Sequence, residues 1–467
     1  MIMFKRISMA LLLVGLVCSV WAIHSALAIQ TDSAIQTAAV TPEEAAQLKT
    51  TLTPMGAERA GNNEGTIPPW TGGYTTIPPG FKNGGRRPDP FADEKPLFSI
   101  TAKNMAQYAD KLTDGTKAML KRYPDSYRLD VYPTHRTFAA PQWVYDNTFL
   151  NATRAKLVTG KEGIMPEGAY GGTPFPIPHN GAEIMWNYNL RWKSAYHQFY
   201  QSYIGTADGK RVLLSDATLD QDQPYYFKVK PKNYDGTYLR LKIVDTGPPI
   251  RTGEGLLVYT VIDDSKSQGW VYLVGQRRVR MTPDPRYDTP APATAGLSGV
   301  DDVGSFSGPT GKFNYKILGK KEMYIPYNMN KLLVPNKSLD VVGPHFMNPD
   351  YIRWELHRVW VVEATLAPGQ RQEVHRSLYY IDEDSWFLAL ADRWDAKGVL
   401  WKSSWTVLLL MPDLPGFNNE TWGFYDFIAG TWFVTGIMNE QSEQIKYMPP
   451  YPADFFTTEA LANASMR

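Results

Sequence analysis

The sequence predicts an α+β protein built on one large curved antiparallel sheet, an incomplete barrel with helices packed in its concave side. Three observations lead there. From about residue 195 apolar and polar residues alternate with a period of two. Aromatic residues make up 13% of the chain, and 8 of the 14 tryptophans fall between Trp354 and Trp432, an enrichment that suits strands. Connections such as Asp382-Glu383-Asp384-Ser385 and Asp395-Ala396-Lys397-Gly398 are hairpin-sized, so neighbouring strands should run antiparallel.

Residues 1–28 read as a cleavable secretory signal. Lys5 and Arg6 give a positive start, Met9 to Trp21 is an uncharged apolar run, and Ala26-Leu27-Ala28 offers the small-x-small cleavage pattern. The run is shorter than the ~20 apolar residues that span a bilayer, so no permanent membrane anchor is expected. Val17 before Cys18 is not the small residue that lipid attachment needs. Cleavage removes the only cysteine, leaving a periplasmic chain that folds without disulfides. The expected domains are the signal peptide (1–28), an N-terminal helix with an extended Pro/Gly-rich arm (29–97), and a single barrel-like β domain with a helical insert (98–467).

Thr41-Pro42-Glu43-Glu44 starts a short helix, with a threonine cap, proline in the first turn and two acids. Residues 54–97 hold no sustained period and read as an arm lying over the body. Further helices are expected over Ala102 to Leu112, after Asp114 or Thr113, over Val144 to Leu157 and over Gly181 to Trp192. Strands are expected at Tyr196–Ile204, Tyr225–Lys230, Leu239–Asp245, Gly255–Val261 and Gly269–Arg280. After a Pro/Gly/Ser-rich loop (Thr282 to Gly311) come Asn314–Ile325, Trp354–Thr365, Glu373–Ile381, Trp386–Trp394, Trp401–Met411 and Trp422–Val434.

Charge excludes some functions. The chain has 48 basic and 47 acidic residues, and loss of Lys5 and Arg6 leaves it near neutral, so nothing steers it to nucleic acid. No phosphate loop is present, because Gly311-Lys312 is followed by Phe313. The nucleophile elbow is missed at Gly304-Ser305-Phe306-Ser307-Gly308. The histidines never pair at metal-ligand spacing, and His357 reads as a core or polar-face residue. Asp382-Glu383-Asp384 lacks the ligand alternation of a calcium loop and reads as a solvated turn. Glu355 and Glu363 share a strand parity, yet nothing marks them as an acid–base pair. No catalytic residue, metal or cofactor is therefore expected.

What remains is apolar. Each acyl CH₂ left in water costs about 0.8 kcal/mol, so a fatty chain needs an escort across an aqueous compartment. The leading expectation is a periplasmic carrier or chaperone for a lipid or other hydrophobic molecule. Trp354, Trp360, Trp386, Leu388, Trp401 and Trp405 would line its cavity, with helices near 101–123 and 181–192 as a lid. The alternative is a non-catalytic adaptor whose arm is the contact, and a hydrolase ranks last.

Several runs resemble a family of uncharacterised Gram-negative periplasmic proteins described as outer-membrane lipoprotein-sorting-like. They are Leu52-Thr-Pro-Met-Gly-Ala-Glu-Arg-Ala-Gly61, Gly65-Thr-Ile-Pro-Pro-Trp-Thr-Gly-Gly73, Asp89-Pro-Phe-Ala-Asp-Glu-Lys-Pro-Leu-Phe98, Pro174-Phe-Pro-Ile-Pro178, Gln276-Arg-Arg-Val-Arg280, Gly319-Lys-Lys-Glu322, Pro326-Tyr-Asn328 and Tyr379-Tyr-Ile-Asp-Glu-Asp384. The resemblance implies a LolA/LolB-like fold, an incomplete barrel holding acyl chains. It also implies partners, an RND-type (resistance-nodulation-division) exporter and an outer-membrane protein. It assigns no catalytic residues. The chain is over twice the length of the small carriers.

Overall fold

The alternating half of the chain pairs into strands with its sequence neighbours. A computed structural model describes residues 40–283 and 286–466, so the leader read at 1–28 lies outside the described residues. The strands are β1 (Phe98–Ile100), β2 (Leu129–Val131), β3 (Lys156–Gly160), β4 (Gly163–Glu167), β5 (Tyr196–Gly205), β6 (Arg211–Asp222), β7 (Thr237–Gly247), β8 (Gly255–Val261), β9 (Gln268–Leu273) and β10 (Arg278–Met281). They continue as β11 (Phe313–Pro326), β12 (Trp354–Leu366), β13 (Arg376–Asp382), β14 (Leu388–Trp394), β15 (Leu400–Thr406), β16 (Leu409–Met411), β17 (Gly416–Asn418), β18 (Trp422–Asp426), β19 (Trp432–Ile437) and β20 (Lys446–Tyr447).

One sheet holds 16 of these, in the order β1-β2-β12-β13-β14-β15-β18-β19-β5-β6-β7-β8-β9-β10, with β11 also on β12 and β20 also on β5. Its pairs are antiparallel except for one parallel contact of Trp354 with Val131. Among the described residues β10 pairs only with β9, so the sheet does not close into a barrel.

The helices are α1 (Pro42–Ala46), α2 (Asp114–Arg122), α3 (Gln142–Arg154), α4 (Gly181–Asn189), α5 (Ser338–Val341) and α6 (Thr458–Ser465). Thr41 and Glu44 form the full capping box of α1, and Thr113 caps α2. The helix expected at Ala102 to Leu112 is a 3₁₀ turn, Met105–Lys111. Among the described residues no helix is long and apolar enough to cross a membrane.

Successive residues of a strand face opposite sides, and β14 shows what each side meets. Asp392 accepts from the Gly115 N–H of α2 at 2.9 Å. Its neighbour Arg393 donates to the Ser305 carbonyl and pairs with Asp302 at 2.7 Å. Helix α2 thus covers one face, while the loop around residues 300–306 covers the other. The α2 side is tight: a Cβ on Gly115 would lie 2.0 Å from Ser403 Oγ.

Residues 54–97 hold almost no regular structure and are fixed to the body by hydrogen bonds. The Trp386 indole N–H donates to the Met55 carbonyl at 2.8 Å, and Arg87 forks onto Asp413 at 2.9 and 2.8 Å. Asn83 exchanges two 2.8 Å hydrogen bonds with the Tyr447 backbone. Gly56, at φ +97, passes so close to Pro176 that a Cβ would meet its carbonyl oxygen at 1.9 Å; only glycine fits there.

Two expectations need correction, and one strand is new. The solvated turn at Asp382-Glu383-Asp384 is buried, at 0%, 2% and 3% exposure, because Arg136, Lys320 and Arg358 reach it. Residues 225–230 form no strand; Pro224–Tyr226 is a 3₁₀ turn with Tyr225 and Tyr226 buried in the core. Strand β6, Arg211–Asp222, occupies residues for which the sequence predicts no strand.

Candidate ligand-binding cavity

The cavity grows out of register. Gln198 of β5 lies opposite Leu219 of β6, Leu219 opposite Ile243 of β7, and Ile243 opposite Leu256 of β8. The next row on the same face is Gln221, Leu241 and Val258. Directly opposite residues share a face, so this surface grades from amides at β5 and β6 to aliphatic side chains at β7 and β8. It borders a cavity of about 210 Å³. Pro290, Ala291, Pro292, Val303 and Phe306 roof it, from the loop that sequence reads only as irregular.

Strand β7 shows how unusual the surface is. Leu239, Leu241 and Ile243 remain partly exposed, whereas Lys242 between them is buried. The Lys242 ammonium sits 3.3 Å above the Phe455 ring. On that outer side α6 and the preceding segment pack Phe456, Tyr451 and Leu461 against Val244, Leu257 and Tyr272. The outer face of these strands is covered, and the inner apolar face is left unfilled.

A groove of about 690 Å³ adjoins the cavity and shares Tyr200, Ile243, Leu256 and Ala293 with it. Ile250 and Val274 border that groove at 89% and 44% exposure. Apolar binding sites commonly span ~300–1,000 Å³, so cavity and groove together suit an elongated apolar molecule.

The opposite end is polar. Lys193 pairs with Glu420 at 2.8 Å. Burial, then the nearby Arg191 charge, pulls the Lys193 ammonium down to about 8. Arg191 donates to the Tyr188 carbonyl at 2.7 Å and to Asn419 Oδ1 at 3.3 Å.

The sequence-chosen residues lie elsewhere. Trp354 and Trp405 border a second cavity of about 30 Å³ beside Met119 and Tyr127, room for a single water. Trp386 and Leu388 are fully buried, and Trp360 stacks on Trp386 with centroids 6.4 Å apart. Trp401 donates to Asp426 at 3.0 Å. None of the six borders the 210 Å³ cavity, although Trp422 does. Of the expected lid, α4 contributes Tyr188 and Asn189, while α2 lies on the other face.

A second polar cluster sits behind the arm. His357, Asp382 and Asp384 bring ligand-type atoms within 4.8 Å of one another, a spacing that could hold a metal. Asp384 is already gripped by Arg136, and the His357 ring meets Glu355 at 3.0 Å. Burial favours a neutral Glu355, but the His357 contact and the Arg353 charge outweigh it and lower its pKa. Glu363 instead pairs with Arg376 at 2.7 Å. The arrangement is an ion-pair network that ties the arm to the sheet.

The model of a family described as "Protein of unknown function (DUF1329)" matches residues 99–462. The uncharacterized protein PA3922 of Pseudomonas aeruginosa is 38% identical over 439 residues, covering 92% of this chain and 95% of its own. Among solved structures, a DUF1329 family protein from Desulfovibrio piger is 14% identical with a TM-score of 0.41, over 60% of this chain and 97% of that one. The LolA superfamily protein NE2245 from Nitrosomonas europaea is 11% identical with a TM-score of 0.36, over 61% of this chain and all of that one.

Proposed function

The chain belongs to the DUF1329 family, and for this member we propose a carrier of a lipid or other hydrophobic molecule, working in the periplasm between inner and outer membranes. One observation supports the reading above others: Leu239, Leu241, Ile243, Leu256 and Val258 turn partly exposed side chains into a cavity while a lysine between them is buried outward. Leaving that much aliphatic surface unfilled costs about 25 cal/mol per Å², a cost that a bound apolar chain removes. The groove flanked by Ile250 and Val274 gives such a chain a way in. Carriage needs no covalent step and no cofactor.

Native mass spectrometry of protein taken from its own periplasm, with displacement of a fluorescent fatty acid, tests the proposal. A co-purifying lipid, or saturable uptake of the dye at one site, is expected. Protein that carries no lipid and takes up no dye would end the carrier reading.

A further inference from the structure

Among the described residues, four buried atoms of side chains bordering the polar end of the cavity have no hydrogen-bond partner: both amide atoms of Gln198, the Gln221 Nε2 and the Arg191 Nε. Gln198, Gln221 and Arg191 are 0%, 3% and 9% exposed, and all three residues border the cavity. Such orphaned groups are rare, and each costs stability until something pairs with it. Reversing the Gln198 amide changes nothing, because its oxygen and nitrogen are both unpaired.

Three of the four orphans are donors, and the charge agrees with them. Arg191 and Lys193 share Glu420 as their nearby carboxylate, and Glu420 is spent on Lys193 at 2.8 Å. Among the described residues no carboxylate reaches salt-bridge distance of Arg191, whose guanidinium instead lies over the Tyr188 ring at 4.1 Å. A buried cation with no carboxylate of its own and three donors without acceptors call for an anionic oxygen.

We propose that the cavity takes a single-chain amphiphile, its anionic oxygen headgroup held by Gln198, Gln221 and Arg191 and its alkyl chain lying along Leu241, Ile243 and Leu256 toward the groove. The inference rests on the carrier reading and names its cargo class. Register places the parts in that order, since the two rows cross from amide to aliphatic within three strands. A neutral or cationic head would leave the Arg191 charge unanswered.

The test compares ligands of equal chain length on the full mature protein, by competition with a fluorescent fatty acid. Palmitate should bind at least tenfold tighter than hexadecanol, and hexadecyltrimethylammonium weakest. Monopalmitoyl lysophosphatidate separates the sources: whichever anion binds tighter identifies a carboxylate or a phosphate head, and either outcome supports the site. In the Gln198→Leu/Gln221→Leu double variant the acid-to-alcohol ratio should fall toward one while hexadecanol binding persists, with no loss of thermal stability. Equal binding of palmitate and hexadecanol by the native protein would overturn the headgroup site alone, leaving those amides to ordered water. A preference unchanged in the double variant would overturn it too. Failure of every alkyl ligand to bind would instead remove the carrier reading, and this inference with it.

Discussion

Arg136 and Asp384 meet through two parallel hydrogen bonds, Nε to Oδ2 at 2.9 Å and Nη2 to Oδ1 at 2.6 Å, with both side chains 2% exposed. The same guanidinium donates to the Glu58 carbonyl at 2.7 Å. One side chain therefore fastens the arm to the turn between β13 and β14. Asp384→Ala leaves that guanidinium buried with no fork to grip, which should cost roughly 3–5 kcal/mol in urea unfolding. Trypsin should also cut within residues 54–97 sooner than in the parent. A variant as stable as the parent, with the arm equally protected, would refute the fastening role.

Asp392 gives a pH prediction. Burial, opposed by hydrogen bonds from the Gly115 N–H and Ser403 hydroxyl, pushes its carboxyl up to about 6. Unfolded, it would titrate near 3.9. Between those values the folded protein keeps a proton that the unfolded chain has lost, so stability falls as pH rises from about 4 to about 6 and is level above. At about 1.4 kcal/mol per pH unit, this residue's part is about 3 kcal/mol. Asp392→Asn cannot titrate, so the unfolding free energy of the parent minus that of the variant should drop by that amount across the window. A difference that stays constant with pH would rule the prediction out.

Leu256 borders both the cavity and the groove. Leu256→Trp should fill the passage and lower fatty-acid uptake tenfold or more. Because the added volume enters open space rather than packed core, stability should change by less than about 1.5 kcal/mol. Undiminished uptake with normal folding would mean that ligand enters elsewhere.

Trp386 sits at φ +63, a strained region for a bulky residue. Its indole N–H bond to Met55 helps hold it there. Trp386→Phe removes the donor and leaves the carbonyl buried, so a loss of about 1–3 kcal/mol is expected, read from thermal or urea unfolding.

Alternation made most of the sheet readable. Gly255–Val261 matches β8 residue for residue, and Trp354–Thr365 differs from β12 only by Leu366. Strand β6 escaped because Asp216, Asp220, Gln221 and Asp222 give it a loop-like composition, yet all lie in a paired strand. Asp220 lies opposite Lys242 on the outer face, while Gln221 turns to the cavity beside the apolar Leu219, and no pattern built on hydrophobic alternation registers such a strand. Tryptophan density pointed to β12–β15, where the aromatic residues fill core. The signal for the cavity was quieter: Leu239, Leu241 and Ile243 alternate with Arg240 and Lys242 like any strand, and only the covering of Lys242 from outside tells which face was left open.

The two-way hydrogen bonding of Asn83 with Tyr447 joins positions 364 residues apart. Synthesis delivers Asn83 long before its partner exists. Arg136 and Trp386 can hold the start of the arm earlier, but the stretch around Asn83 gains this anchor only when the last part of the polypeptide has emerged. A product stopped short of residue 447 would keep the Arg136 and Trp386 anchors yet lack the one at Asn83, and long-range closure of this kind makes folding slow.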